Sequence, residues 1–246
     1  MKIKLEIHTH TKYSHDSLLN KWLYLLLLKM RKIDVVAITD HNEIVGAIKF
    51  KKFLNKFNVR VIVGEEVFTE RGEIIGLFLK DKIKPGQSVR TSMMQIKDQG
   101  GIVYVPHPYD EKRYKTVLPE DEIAKNIDLV DIIEIHNGRN IKSYFSDIQL
   151  SIANKYQVSQ LVGSDAHTFL ELGRNYNVIE DFKNKEEFLQ NITEVEYVKR
   201  KCIKFSHQIT KYVRVLKMLR KGNFNELYRI INKKIRRSKQ KIITKD

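Results

Sequence analysis

The sequence predicts an α/β protein whose strands form a parallel sheet closing towards a barrel, and three observations carry that expectation. Up to about Glu180, short β-branched runs alternate with amphipathic helical stretches, the order that implies βαβ crossovers. About seven such runs occur, which points towards a closed barrel. A chain of 246 residues can bury a sizeable core as one barrel, or as a domain with an appendage.

Taken in order, the expected strands are Ile3–Ile7, Val35–Thr39, Val59–Val63, Glu73–Leu79, Ile102–Val105, Asp131–Ile135 and Gln160–Val162. Helical patterns lie between most of them, at Leu18–Arg31, Glu43–Phe57, Val89–Gln99 and Ser143–Tyr156. The apolar run "LYLLLL" at Leu23–Leu28 is far shorter than the roughly 20 residues that span a bilayer, so it reads as a buried helix and no transmembrane segment is expected. "MKIKLEIHTH" has no apolar core of a secretory leader, and the lone Cys202 cannot form an internal disulfide. Both favour a cytoplasmic protein.

The net charge of +15 is uneven. From Lys199 to the end there are 17 Lys/Arg against two acids, so the chain before it is neutral overall. In that tail Ile209, Tyr212, Val213, Leu216 and Leu219 recur at helical spacing, as do Phe224, Leu227, Tyr228, Ile231 and Ile235 after a break at Gly222–Asn223. Two amphipathic helices are expected, each with an apolar stripe and a cationic face. They either pack on the barrel with solvated charges or contact polyanions, nucleic acid first and an anionic membrane second.

Polar chemistry follows almost every expected strand. His8 and His10 follow the first; Asp40 and His41 the second; Glu65 and Glu66 the third; His107 the fifth; His136 and Asn137 the sixth; Asp165 and His167 the last. In parallel α/β folds the carboxyl ends of the strands form one rim, so these residues can converge in space. His-x-His places two imidazoles on one face because side chains alternate along a strand. Neutral imidazole with carboxylate suits Zn, Mn or Fe, and this many donors would hold two or three ions.

In order, "HTHTKYSHDS", "AITDHN", "VGEEV", "GEIIGLFL", "VPHPYD", "EIHNGRN" and "GSDAHT" resemble the motifs of the PHP (polymerase and histidinol phosphatase) domain over residues 1–181. The resemblance implies a distorted (β/α)7 barrel with a trinuclear metal centre, and leaves 182–246 as a basic helical extension. Matched position by position, it implies metal ligation by His8, His10, Asp16, His41, Glu66, Glu73, His107, Asp165 and His167. Of these, His8, His10, Glu66, Asp165 and His167 would form the catalytic centre. Asp16, not His15, falls at the third ligand position; Asp40 would stand behind His41, and Glu65 would be a spacer. Glu73 replaces a common histidine, Asn137 stands where some members have histidine, and His136 is open between a pocket residue and a packed one.

The implied activity is hydrolysis of a phosphoester by a metal-activated hydroxide. Neither a Gly-x-Ser-x-Gly nucleophile nor a P-loop occurs. Lys12, Asn137, Arg139 and Arg174 are candidates to bind the substrate. The expected substrates are nucleic-acid ends or nucleotides, with 5′–3′ exonuclease action on single strands the sharpest version. A histidinol-phosphatase-type enzyme, an amidohydrolase-like barrel and a non-enzymatic nucleic-acid binder are the alternatives.

Overall fold

The computed structural model describes residues 1–225, 228 and 229. Its elements are β1 (Lys2–Glu6), α1 (Lys21–Arg31), β2 (Val35–Ile38), α2 (Val45–Leu54), β3 (Arg60–Phe68), β4 (Glu73–Leu77), α3 (Val89–Asp98), β5 (Ile102–Val105), α4 (Glu120–Lys125), β6 (Ile132–Asn137), α5 (Tyr144–Tyr156), β7 (Ser159–Gly163), β8 (Tyr176–Glu180), α6 (Lys185–Asn191), β9 (Glu196–Val198) and α7 (Lys204–Arg220). All nine strands join one sheet in the order β7-β6-β5-β4-β3-β2-β1-β8-β9.

Beyond β1 the chain turns back to the opposite edge. Thr9 bridges Ala166 in parallel, the His10 amide donates to the Ala166 carbonyl at 2.9 Å, and the Ala166 amide donates to that of His8 at 3.3 Å. The sheet is thereby nearly closed into a barrel. Asn177 of β8 stitches the same seam: its side chain accepts from the Val162 amide at 2.9 Å and donates to the Val162 carbonyl at 2.8 Å. An amide can supply both halves of a ladder contact where no strand fits.

The barrel departs from seven parallel strands. β4 runs antiparallel to both β3 and β5, and β8 is antiparallel to β1 and β9. The physical reason lies at Thr69–Gly72: four residues allow a hairpin, whereas a parallel crossover needs a dozen or more. The Thr69 amide closes this turn on the Gly72 carbonyl at 2.8 Å.

Alternate residues of the strands feed two apolar layers. Ile3, Leu5, Ile7, Ala37, Ile75, Leu77, Tyr104 and Leu161 form the inner one; Val36, Ile38, Val63 and Ile133 meet the helices outside. Phe182, Phe188 and Ile192 join the inner layer. They follow the carboxyl end of β8, which is antiparallel to β1, so they fill the barrel at the end away from the histidines. Sheet and core therefore continue past residue 181, the end of the stretch that carries the resemblance.

Two helices differ from expectation. Tyr24, Leu27 and Leu28 of α1 are buried, but Trp22, Leu26 and Met30 are exposed, so the leucine run is buried on one side only. In α7 the expected apolar stripe is largely outward: Val213 is buried, whereas Tyr212, Leu216 and Leu219 are exposed. The surface beneath α7 is polar, and the helix meets it with small polar groups. Ser206 donates to Glu171, Arg139 donates to the Thr210 hydroxyl at 3.2 Å, and Lys217 donates to the carbonyls of Lys12 and Ser14 at 2.7 and 2.5 Å. Gly222, at φ +65°, ends the helix at the expected break. Phe224 and Tyr228 are exposed, and Leu227, Ile231 and Ile235 lie outside the described residues. Among the described residues no helix is long and apolar enough to cross a membrane.

Glu65 is turned away from its neighbour Glu66 and accepts from the Ile83 amide at 2.9 Å. Burial pushes its carboxyl up to about 7. The folded state thus retains a proton that the unfolded chain releases near 4.5, and the resulting stabilisation is lost as pH rises through 7. Glu65→Gln, which keeps the acceptor, should gain on the parent by up to about 3 kcal/mol between pH 5 and pH 8. Urea unfolding at both pH values checks this; an equal difference at both would sink it.

Candidate metal centre

His8 and His10 lie just past β1, where the strand's backbone is handed over to the Ala166 bridge. Thr9 between them turns to α1, taking a hydrogen bond from the Tyr24 hydroxyl at 2.5 Å and donating to the Ala37 carbonyl at 2.6 Å. The two imidazoles are left pointing together into the barrel mouth.

Each ring has its orientation set from behind. His8 Nδ1 faces Glu134 Oε1 at 3.1 Å, His10 Nδ1 faces the Ser14 hydroxyl at 3.1 Å, and His167 Nδ1 faces the Asp165 carbonyl at 2.8 Å. Ser14 spends its own proton on Asp40 at 2.6 Å, so in all three contacts Nδ1 must donate. That tautomer leaves Nε2 with its lone pair directed inward. Nε2 of His8 and of His10, with Asp16 Oδ1 and Glu66 Oε2, are buried without a hydrogen-bond partner. Buried polar atoms are rarely left so, and convergent lone pairs are what a cation takes.

Glu66 sits at the middle of the cluster. Its Oε1 is 3.1 Å from His107 Nε2 and 3.5 Å from His8 Nε2; its Oε2 is 3.0 Å from His41 Nδ1 and 3.4 Å from His10 Nε2. Asp165 Oδ1 lies 3.4 Å from His10 Nε2 and 3.7 Å from His8 Nε2. Further out, Asp16 Oδ1 is 3.2 Å from His167 Nε2, which is 3.3 Å from His41 Nε2. Glu73, the first residue of β4, reaches 3.6 Å from His41 and 3.7 Å from His107. The reversed direction of β4 is what brings its amino end to the rim formed by the carboxyl ends of its neighbours.

All nine side chains expected as ligands thus meet in one place. Several triplets have donor atoms within 4.8 Å of one another, among them His8/His10/Glu66, His8/His107/Asp165, His10/His41/His167 and His41/Glu66/Glu73. Burial opposes ionisation of Glu66, yet the His41 and His8 imidazoles hold its carboxyl well below the usual range. Burial and the charge of Glu66 instead push Glu73 up to about 8, a repulsion that a shared cation would relieve.

Two of these residues carry an unusual backbone. His107 and Asp165 have φ of +30° and +52°, a region that non-glycine residues enter at a cost and that recurs at functional sites. Close approach explains the glycine of "GSDAH": a Cβ on Gly163 would overlap Glu134 Oε1 and stand 2.9 Å from His8 Cβ.

Asp16, His41, Glu66, Glu73, His107, Asp165 and His167 line the floor of a cavity of about 860 Å³, with His8 and His10 fully buried behind them. Its rim carries Lys112, Arg113 and Lys115 from the loop after β5, Arg139 and Lys142 after β6, and Lys204, Lys211 and Arg214 of α7.

A family model of the PHP domain matches residues 6–243. The chain belongs to the PHP domain family. Two relatives from Methanocaldococcus jannaschii, both uncharacterized, are MJ1587, 43% identical over 117 residues (44% of this chain, 68% of the relative), and MJ0417, 34% identical over 185 residues (71% and 69%). Among solved structures, PsfC of Pseudomonas syringae superposes with TM-score 0.60 at 14% identity, covering 88% of this chain and 98% of that one. An amidohydrolase of Chromobacterium violaceum gives 0.59 at 15% identity (78% and 97%), and a Bifidobacterium adolescentis protein assigned as a metal-dependent phosphoesterase gives 0.57 at 14% (77% and 95%). At such identities the likeness is one of fold.

The other candidates of this PHP site are distributed unevenly. Asn137 is buried behind the cluster, donating to Glu134 at 2.8 Å and accepting from Arg113 at 3.1 Å. Arg139 lines the cavity but is also bound to α7 through His207 and Thr210, both at 3.2 Å. Lys12 lies over the Tyr13 ring, and Arg174 stands near Arg31; neither side chain lines the cavity. His15 is at the lip beside Asp16 and His41, while His136 pairs with Ser146 of α5 at 2.7 Å, away from the cavity.

Two residues not singled out in the sequence prove central. Glu134 takes His8 Nδ1 on one oxygen together with the Tyr104 hydroxyl at 2.6 Å, and on the other the His107 amide at 2.6 Å. Arg113 is held by Asp110 at 2.8 Å, by Asn137 and by Asp165, which sets a guanidinium directly beside the cluster. Glu134→Gln should weaken metal binding by roughly 10- to 100-fold. Calorimetric titration with Mn²⁺ checks it, and unchanged affinity would remove Glu134 from the site.

Proposed function

We propose that this PHP protein is a metal-dependent phosphoesterase acting on nucleic-acid ends or nucleotides. What carries the reading is the pairing of two features at one cavity: convergent unpartnered nitrogen and oxygen atoms in and directly behind its floor, and a rim with eight Lys/Arg side chains. His8, His10, Glu66, His107 and Asp165 would hold ions deep in the site, and Asp16, His41 and His167 nearer the opening, a set sufficient for two or three of Mn, Zn or Fe. When bound, such ions lower the pKa of water and offset charge on phosphate oxygens.

The chain's own residues supply the rest. Glu134, Ser14 and the Asp165 carbonyl keep Nδ1 protonated on three imidazoles, which leaves each Nε2 lone pair free to hold an ion. Arg113 presents a fixed cation to a phosphoryl oxygen arriving above Asp165, and Asn137 keeps that guanidinium in register. Lys204, Lys211 and Arg214 follow one face of α7, seven and three residues apart, or about 10 and 5 Å along the axis. A row of that length suits a substrate with more than one phosphate, which favours oligonucleotide ends over a sugar monophosphate.

The deciding assay sets metal-loaded protein against 5′-labelled oligonucleotides and a panel of phosphomonoesters. Release of 5′ nucleotides supports the exonuclease version; turnover of monoesters alone would place the protein with small-molecule phosphatases, and binding without turnover would make it a nucleic-acid binder. Lys211→Glu should weaken oligonucleotide binding at all sequences and lower the salt slope by about 1 or more, with phosphomonoester turnover unaffected. An unchanged slope would exclude α7 from substrate contact.

A further inference from the structure

The leucine-rich helix has an outward face that the proposed reaction does not use. Trp22, Leu26 and Met30 are 60, 55 and 70% exposed and lie at i, i+4 and i+8, so they form one ridge along α1. The ridge continues sideways: the Trp22 ring is 4.7 Å from that of Phe53 and 6.2 Å from that of Phe57, itself exposed at the end of the neighbouring helical segment. A contiguous exposed apolar ridge rimmed by polar residues marks an interaction surface.

The charge around it is of one sign. Segments 17–33 and 44–59, which contain α1 and α2, carry eight Lys/Arg and no Asp or Glu. All but Arg31 of these cations are exposed, and Arg31 is half-buried. Lys21 Nζ sits 5.7 Å over Trp22 and 4.9 Å over Phe53, so cation and apolar surface are interleaved rather than segregated.

That combination narrows the occupant. A second copy docking face to face would set eight cations against eight. Residues 226–246 of this chain carry eight Lys/Arg against two acids and are repelled in the same way. Nucleic acid would take the lysines, but its interfaces are polar and wet and would leave Leu26 and Met30 in water. A bilayer with anionic headgroups satisfies both parts: lysines at the headgroup level, aliphatic side chains in the acyl boundary, and tryptophan at the interface it favours. We infer that the α1–α2 face docks this protein onto an anionic phospholipid surface, lying on it without spanning it.

Trp22 is the only tryptophan of the chain, so its emission reports on this face alone. The full-length protein is titrated with vesicles of phosphatidylcholine containing phosphatidylglycerol, with pure phosphatidylcholine vesicles, and with a single-stranded oligonucleotide. The expected result is a blue shift and co-sedimentation with the anionic vesicles only, reversed by high salt. Lys21→Ala should weaken binding about fivefold. Met30→Asp, at an exposed position and with its fold verified by circular dichroism, should weaken it at least about tenfold. The inference is overturned by co-sedimentation without a Trp22 shift, which would assign binding to the basic tail. It is equally overturned by equal binding to neutral vesicles, by a shift on oligonucleotide or on raising protein concentration alone, or by a Met30→Asp variant that binds like the parent.

Discussion

Asp165→Asn is expected to reduce metal-dependent turnover by more than the roughly 100-fold that the loss of an outer hydrogen-bonding partner costs, with the fold unchanged. Asp165 approaches both His8 and His10 and also accepts from Arg113, so one carboxylate joins the ligand set to the cationic rim. Asparagine is the informative replacement because it tolerates the left-handed backbone at φ +52° and keeps the side chain's volume. Circular dichroism and urea unfolding establish folding, and kcat with saturating Mn²⁺ reads the effect. Retention of full turnover by a folded variant would remove Asp165 from the centre.

Stripping metal with a chelator should lower the melting temperature by roughly 5–10 °C, because an ion at 100 times its Kd contributes about 3 kcal/mol to a chain of this size. The direction follows from the cluster itself. Glu66, Glu73, Asp165 and Asp16 are packed together, and Glu73 already resists ionisation at about 8. Cations stabilise the ionised carboxylates only in the folded state, where the carboxylates are held together. Scanning calorimetry with and without added Mn²⁺ or Zn²⁺ measures the shift; equal melting temperatures for stripped and loaded protein would argue against a bound ion at this cluster.

Much of the centre was legible because strand alternation and short motifs mark which residues leave a strand at its end. His8 and His10, the His41 of "TDH", the second glutamate of "GEE", His107 and the "GSDAH" pair all join the one cluster. Glu134 escaped notice, although a lone acid in the apolar run "DIIEI" is a signal, since a charge buried in a strand needs partners. Arg113 had none: in "YDEKRYK" it is one charge among several on a loop, and only folding aims it at Asp165. Helical spacing in α7 found the apolar positions but left open which side they take, because periodicity reports that a face exists and not what it meets.

The sequence by itself determined the identity of the nine clustered side chains, the alternation of strands and helices, and the concentration of charge after residue 199. Tertiary structure decided how they combine. A four-residue turn reversed β4 and delivered Glu73 to the rim, and a polar floor drew Ser206 and Thr210 of α7 inward, so its lysines face the cavity. The barrel took Tyr24, Leu27 and Leu28 of α1 and left Trp22, Leu26 and Met30 facing outward. Local pattern encodes what each segment can bury; strand direction and the partner of each face depend on contacts between residues far apart in the chain, which no local spacing records.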